Sequence, residues 1–331
     1  MATARILSDA EPDIQEAARY LRSGQLVALP TETVYGLAGN ALDESAVQRI
    51  FAVKGRPLID PLIVHVSSLK QTEDLVERLP TVAKPLMEAF WPGPLTLILP
   101  KAESVPSLVT AGRHTVGLRM PSHPLTLRIL EAAARPVAAP SANPFGYISP
   151  TSAQHVLDNL GGRITAVVDG GPCQRGIEST ILDLSGDQPA ILRHGPISLQ
   201  ELKAVLGQEI LARSSGGEAQ SLRAPGRFKR HYSPRTPLTL LPTGELPPQA
   251  TDKQAAWIAL SRERAEAASS AYSRYWLSET GELEGVAREL FALLRKVDST
   301  GLECIYLELP PDKGIGTALK DRMLRAAAQE A

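Results

Sequence analysis

The chain has 331 residues, 43% apolar and 21% charged, which excludes wholesale disorder, a collagen-like repeat and a coiled coil and leads us to expect about two domains. Thirty-five Lys and Arg against 36 Asp and Glu leave a net charge of −1, so no global field favours nucleic acid or an anionic membrane, and any anion site has to be local. Cys173 and Cys304 are the two cysteines and lie in no metal or redox spacing, so two free thiols are expected, with neither a disulfide framework nor a zinc site.

No run approaches the roughly 20 apolar residues of a membrane span, and Met1 to Glu16 lacks the apolar core of a signal peptide. A cytoplasmic location, with no membrane partner, is the expectation. The 25 glycines and 27 prolines predict many short elements joined by turns, not a helical bundle.

In chain order, Ile14, Ala17, Ala18 and Leu21 recur at helical spacing before Gly24 and predict an opening amphipathic helix. Leu26 to Leu29 predicts a strand, Thr31 to Asn40 a turn-like stretch, and Asp43 a cap on a second helix that carries Val47, Ile50 and Phe51 and stops near Gly55. Further strands are predicted at 62–66, 95–99, 115–120, 137–139, 164–168, 181–184 and 191–193. The pattern is α/β with a mixed sheet.

Near Leu211 the periodicity gives way to Ser214, Ser215, Gly216 and Gly217, and a Pro-rich, basic stretch follows. Arg223, Arg227, Lys229, Arg230 and Arg235 stand there with no acidic residue between Ala219 and Gly244. This gives boundaries of 8–210 for a first domain, 211–236 for a basic linker and 237–331 for a smaller α/β domain. In the last, strands at 238–241, 256–260 and 304–309 flank a helix carrying Val286, Leu290, Leu293 and Val297, and a final helix carries Leu319 and Met323.

Four polar clusters fall at strand ends, where open α/β sheets bind ligands. Pro30-Thr31-Glu32-Thr33-Val34-Tyr35-Gly36-Leu37 is the first, though a Thr-rich turn can also simply satisfy its own backbone. In the second, Lys54 and Arg56 offer two cations to one anion, or only complement a helix C-terminus. Along Leu62 to Val66, alternation turns His65 away from the core-facing Leu62, Val64 and Val66.

In the third, Val116, Leu118 and Met120 face inward, leaving Arg119 opposite, with Gly117 making room for a ligand. His123, Ser141-Ala142-Asn143 and Ser149-Pro150-Thr151 follow, residues equally common in ordinary turns. The fourth joins Glu178-Ser179-Thr180-Ile181 to Arg193-His194-Gly195, where Arg193 is a phosphate ligand or a solvated charge. There is no GxxxxGK[ST], GxGxxG between strand and helix, GxSxG or HExxH, so a nucleotide here is not held by a standard P-loop.

In this order, the motifs PTETVYGL (30–37), KxRP (54–57), PLIVHV (61–66), SAN (141–143), ESTI (178–181) and RxG (193–195) resemble the threonylcarbamoyl-AMP synthase family in its two-domain form. The resemblance implies a YrdC-like twisted mixed sheet with a concave pocket, followed by a smaller Rossmann-like α/β C-terminal domain. It implies that L-threonine, bicarbonate and ATP, with Mg²⁺, give threonylcarbamoyl-AMP and pyrophosphate, and that partner proteins carry the product into tRNA modification.

By the same resemblance, Thr33, His65, Ala139 and Ser179 contact threonine. Lys54, Arg56, Asp60, Arg119, His123, Ser141, Asn143, Ser149 and Arg193 contact ATP, joined by Tyr232 from a lid-like linker. Lys54 and Arg56 carry the chemistry, and no residue is a metal ligand. The sequence departs from the pattern at Asp60, where the family often has an amide, and at Phe145, where it often has serine. Two other readings keep the fold: a double-stranded-RNA-binding module, which the net charge disfavours, and a carbamoyl-transfer domain of the hydrogenase-maturation type. Direct RNA binding is expected to be weak at most.

Overall fold

The computed structural model describes residues 3–212, 231–248 and 254–328, and they form two compact units. Among the described residues the first comprises 3–145, 150–174 and 178–212; the second comprises 146–149, 175–177, 231–248 and 254–328. Ser214 to Gly217, Arg223, Arg227, Lys229 and Arg230 of the expected linker lie outside the described residues.

The first unit is built on an eleven-stranded mixed sheet in the order β1-β8-β2-β3-β7-β4-β6-β5-β9-β10-β11. Its strands are β1 (Arg5–Leu7), β2 (Val27–Leu29), β3 (Gly36–Asn40), β4 (Ile63–His65), β5 (Leu95–Pro100), β6 (Thr115–Arg119), β7 (Val137–Ala138), β8 (Ala166–Val168), β9 (Thr180–Asp183), β10 (Ala190–Arg193) and β11 (Leu211–Ala212). β3 falls inside the stretch expected to be a turn. Gly36, Gly39 and Asn40 disfavour a strand locally, but β3 pairs antiparallel with β2 on one side and β7 on the other. β1 and β11 are too short for a periodic signal, and β11 pairs with β10 where the linker was expected to begin.

Helix α1 (Glu11–Arg22) forms where expected: Glu11 and Asp13 occupy its first turn, Arg19 and Arg22 its last, and Ile14, Ala17, Ala18 and Leu21 its buried stripe. Helix α2 (Glu44–Lys54) starts at Asp43, whose carboxylate accepts from the Ser45 and Ala46 amides, and ends at Gly55 in the left-handed region at φ 64°. That stop fixes where Lys54 and Arg56 leave the helix. Helices α3 (Leu69–Asp74), α4 (Ala83–Phe90), α5 (Pro124–Ala133), α6 (Ala153–Leu160) and α7 (Leu199–Leu206) complete the unit.

The core divides by sheet face, and that division places the site. One face carries the main cluster, which includes Leu37, Val64, Leu97, Leu118, Leu182 and Ile191. On the other face, α1 and α5 cover the β1–β8–β2–β3–β7 end through Leu21, Ile129, Leu130, Val27 and Val137. Over β4, β5, β9 and β10 that face carries a small cluster of Ile63, Ile98, Ile181 and Leu192. Beyond this cluster the same face turns polar.

The second unit has a four-stranded parallel sheet, β12 (Leu238–Leu241), β13 (Ala255–Ser261), β14 (Ser273–Ser278) and β15 (Cys304–Glu308), in the order β12-β15-β13-β14. β14 was not foreseen; Ser273, Arg274 and Ser278 blur its alternation. The long helix Leu283–Asp298 buries Val286, Leu290, Leu294 and Val297, one position off the expected stripe at Leu293. Ile315–Ala326 is the last helix and buries Leu319 and Met323 as expected. Among the described residues no helix is long and apolar enough to cross a membrane.

Candidate functional site

Alternation on β4 and β6 sorts their side chains as the sequence predicts. Leu62, Val64, Val66, Val116, Leu118 and Met120 join the main core. The strands are parallel and in register, His65 opposite Arg119 and Ile63 opposite Gly117. His65 and Arg119 are therefore the last residues of adjacent parallel strands on the face away from the main core, at the carboxyl ends where such sheets bind ligands.

Gly117 corrects an expectation. A Cβ there would fall 3.1 Å from Ile98 Cδ1 and 3.5 Å from Thr96 Cγ2, so the neighbouring strand already fills the space and the glycine serves packing, not a ligand.

Arg119 donates through Nε to Gly93 O at 3.2 Å, and its Nη2 lies 2.7 Å from Glu32 Oε1. The other Glu32 oxygen accepts from the Ser122 amide at 3.2 Å. Glu32 is presented by the turn after β2. There Thr31 Oγ1 accepts from the Thr33 and Val34 amides, donates to Val34 O at 2.6 Å, and lies 2.8 Å from Thr33 Oγ1. The turn thus satisfies its own backbone while placing Thr33, fully buried, next to a buried carboxylate.

Lys54, buried at the end of α2, donates Nζ to Ser141 O at 2.6 Å and Asn143 O at 2.5 Å, while Phe145 N donates to Lys54 O at 2.8 Å. Burial first, then the neighbouring Arg56 charge, pushes the Lys54 ammonium well below its ordinary pKa. Its immediate partners are therefore carbonyls of the Ser141–Asn143 loop. At Phe145 the main chain, not a side-chain hydroxyl, makes the contact to α2. Asn143 Nδ2 donates to Pro144 O at 2.8 Å. Ala139 follows β7 and donates its amide to Ile63 O on the His65 strand.

Arg56 and Asp60 form a buried ion pair, Nη2 to Oδ2 at 2.8 Å, and Arg56 also donates to Asp60 O and Pro61 O. A carboxylate here does not face phosphates alone, because Arg56 already compensates it. Arg56 and Arg119 are thus each ion-paired with a buried carboxylate.

Arg193, at the end of β10, donates Nε to Ser179 O and Nη2 to Ser179 Oγ, both at 3.1 Å. Ser179 Oγ lies 2.8 Å from Thr96 Oγ1 on β5, a fully buried residue that no sequence motif marks. Gly195 keeps this arrangement close: a Cβ there would fall 2.3 Å from the Thr180 amide nitrogen. His65, Arg119, Thr96, Ser179 and Arg193 therefore sit on or beside five neighbouring strands, in the order β4, β6, β5, β9, β10. Burial, then the Arg119 charge, lowers the His65 pKa to about 3, so the imidazole is neutral at physiological pH.

Three predicted residues remain. His123, half-buried ahead of α5, lies with Nε2 3.4 Å from Gly170 O and lines a cavity of about 550 Å³ with Asp9, Arg128 and Asp169. Ser149 and Tyr232 belong to the second unit. Tyr232, at φ 64°, is buried and stacks on Phe291 with ring centroids 5.4 Å apart. Cys173 and Cys304 are free thiols, and burial pushes Cys173 up to about 12, which leaves it inert as a nucleophile. Among the described residues, no three His, Cys, Asp or Glu side chains gather as a metal centre.

Comparison with known proteins finds similarity over nearly the whole chain. Residues 19–195 match a family described as Telomere recombination, and residues 197–328 match one described as Threonylcarbamoyl-AMP synthase, C-terminal domain. Threonylcarbamoyl-AMP synthase of Pyrococcus abyssi is 42% identical over 320 residues, covering 95% of this chain and 94% of its own. The Bacillus subtilis protein of the same name is 40% identical over 327 residues, covering 97% and 94%. The crystal structure of P. abyssi Sua5 complexed with L-threonine superposes with a TM-score of 0.87 at 39% identity, covering 98% of this chain and 97% of that one.

Proposed function

The chain belongs to the threonylcarbamoyl-AMP synthase family, and from that premise we propose how its own residues carry the reaction. The protein is an ATP-using transferase that makes threonylcarbamoyl-AMP for tRNA modification, a reading carried by similarity to synthases along nearly the whole length of both chains. The same full-length similarity gives no support to an RNA-binding module or a hydrogenase-maturation carbamoyl transferase.

The finer chemistry is that of a nucleotidyl transfer. The amine of L-threonine adds to bicarbonate with loss of water, giving a carbamate. A carbamate oxygen then attacks the α-phosphorus of ATP, and the bond to the β-phosphate oxygen breaks to release pyrophosphate. Mg²⁺ enters with ATP as part of the substrate. The buried carboxylates Glu32 and Asp60 are already engaged by arginines, and no protein ligand is assigned to it.

Thr33, His65, Ala139 and Ser179 hold threonine. The neutral His65 ring exchanges hydrogen bonds without adding charge beside the amine, which has to lose its proton to react. Arg56, Arg119 and Arg193 offset the phosphate charge that grows at the leaving group, and Lys54 acts mainly through the Ser141–Asn143 loop that meets the nucleotide. Asp60 sets the Arg56 fork, and Ser149, Tyr232 and His123 complete the nucleotide contacts. No strong acid or base is required. Holding a short-lived carbamate against the α-phosphate supplies much of the acceleration, since positioning of this kind is worth up to about 7 to 11 kcal/mol.

The product is passed to partner proteins of tRNA modification, in a cytoplasmic setting. Pyrophosphate release from purified protein tests the reading: it should need threonine, bicarbonate and MgATP together. Release at the same rate without threonine or bicarbonate would overturn it.

A further inference from the structure

Two of the proposed ATP contacts, Ser149 and Tyr232, belong to the second unit, and one helix there engages both segments. On Leu283–Asp298, residues Phe291, Arg295 and Asp298 recur at i, i+4 and i+7 and form a single stripe. Phe291 stacks on Tyr232 at 28° between ring planes. Arg295 is buried, donates Nε to Ser149 O at 3.3 Å and Nη2 to Ile148 O, and places its guanidinium carbon 4.9 Å from the Tyr147 ring centroid. Asp298 accepts from Tyr147 Oη at 2.7 Å and from the Arg235 and Thr236 amides at 2.8 Å each.

A second close contact involves the same helix. Gly176, at φ 72°, lies where a Cβ would fall 2.2 Å from Ala287 O, so the 175–177 segment that leads into Ser179 packs on the helix backbone. A cation in the last turns of a helix needs no further reason when it is exposed, since it complements the helix dipole. Arg295 is different. It is desolvated, and its planar fork is spent on two consecutive carbonyls of a segment outside regular secondary structure, which an apolar side chain of the same size could pack against but not orient.

We propose that Arg295 is a positioning residue for ATP: it fixes the main chain of Ile148 and Ser149, and through them the Ser149 hydroxyl, without touching the nucleotide itself. The proposal rests on the synthase reading and on the Ser149 contact within it.

The test is steady-state pyrophosphate release by the full chain with ATP and threonine varied separately, for wild type, Arg295→Met, Arg295→Lys and Tyr147→Phe. With two charge-assisted bonds lost, Arg295→Met should raise the KM for ATP about tenfold, with the KM for threonine within about twofold. Arg295→Lys, which keeps the charge without the fork, should fall between the two. If Arg295→Met fails to fold, Tyr147→Phe carries the test, with a smaller rise of about two- to fivefold in the KM for ATP alone. An unchanged KM for ATP in a folded variant, or equal rises for both substrates, would overturn the proposal. Wild-type protein that releases no pyrophosphate in response to threonine would instead overturn the synthase reading beneath it.

Discussion

Arg119 Nη2 lies 2.7 Å from Glu32 Oε1, with both side chains 5% exposed, so the turn after β2 and the end of β6 are tied by a buried ion pair. Removing one partner leaves the other charge buried and alone. Glu32→Ala should therefore cost about 3 to 5 kcal/mol in denaturant unfolding, and Glu32→Gln, which keeps an acceptor for the Ser122 amide, distinctly less. Equal losses for the two variants would mean that the charge of Glu32 does not matter.

Asp60 is compensated by Arg56 at 2.8 Å. Asp60→Ala strips the guanidinium of its carboxylate and should destabilise by about 3 kcal/mol, while Asp60→Asn should cost about half of that. Because the pair also sets the Arg56 fork, Asp60→Ala should raise the KM for ATP more than that for threonine. A rise in the KM for threonine alone would place the pair on the wrong substrate.

His65 makes stability pH-dependent with a definite sign. Its native pKa is lowered to about 3 by burial and by Arg119, against an ordinary value near 6.5. As pH falls below about 6.5 the unfolded chain takes up a proton that the native chain refuses, so the contribution is complete above that pH and declines toward pH 3. From pH 7 to pH 5 the wild type should lose about 2 kcal/mol more than His65→Asn. Parallel pH profiles of the two proteins in unfolding experiments would contradict this.

Thr96 Oγ1 and Ser179 Oγ lie 2.8 Å apart, and Arg193 donates to the same serine. Thr96→Val removes the hydroxyl at nearly constant volume. It should cost about 1 to 3 kcal/mol of stability, because the Ser179 hydroxyl keeps Arg193 but loses its Thr96 partner, and raise the KM for threonine by up to about tenfold. A KM for threonine equal to wild type would remove Ser179 from the threonine site.

The sequence exposed the local part of this architecture. The stop of α1 followed from Gly24, the start and stop of α2 from Asp43 and Gly55, and the facing of β4 and β6 from period-2 alternation, because each signal lies within a few residues of its consequence. What escaped was set by distant partners. β3 is a strand because β2 and β7 flank it, despite its two glycines and Asn40. Gly117 looked like room for a ligand because Ile98, which fills that room, arrives from another strand. Thr96 carries no motif and meets Ser179 only through the pairing of β5 with β9. The four cations were all visible, but their partners were not: Glu32 for Arg119, Asp60 for Arg56, two loop carbonyls for Lys54 and Ser179 for Arg193.

The central claim is that one protein joins threonine, bicarbonate and the adenylyl group of ATP. Supplying carbon-labelled bicarbonate and ATP labelled at the α-phosphate, then isolating the nucleotide product, tests it directly. Both labels should appear together, in equal amounts, in a single threonine-containing adduct that Arg56→Ala fails to make. AMP or threonyl-AMP carrying the phosphate label without the bicarbonate carbon would contradict the account.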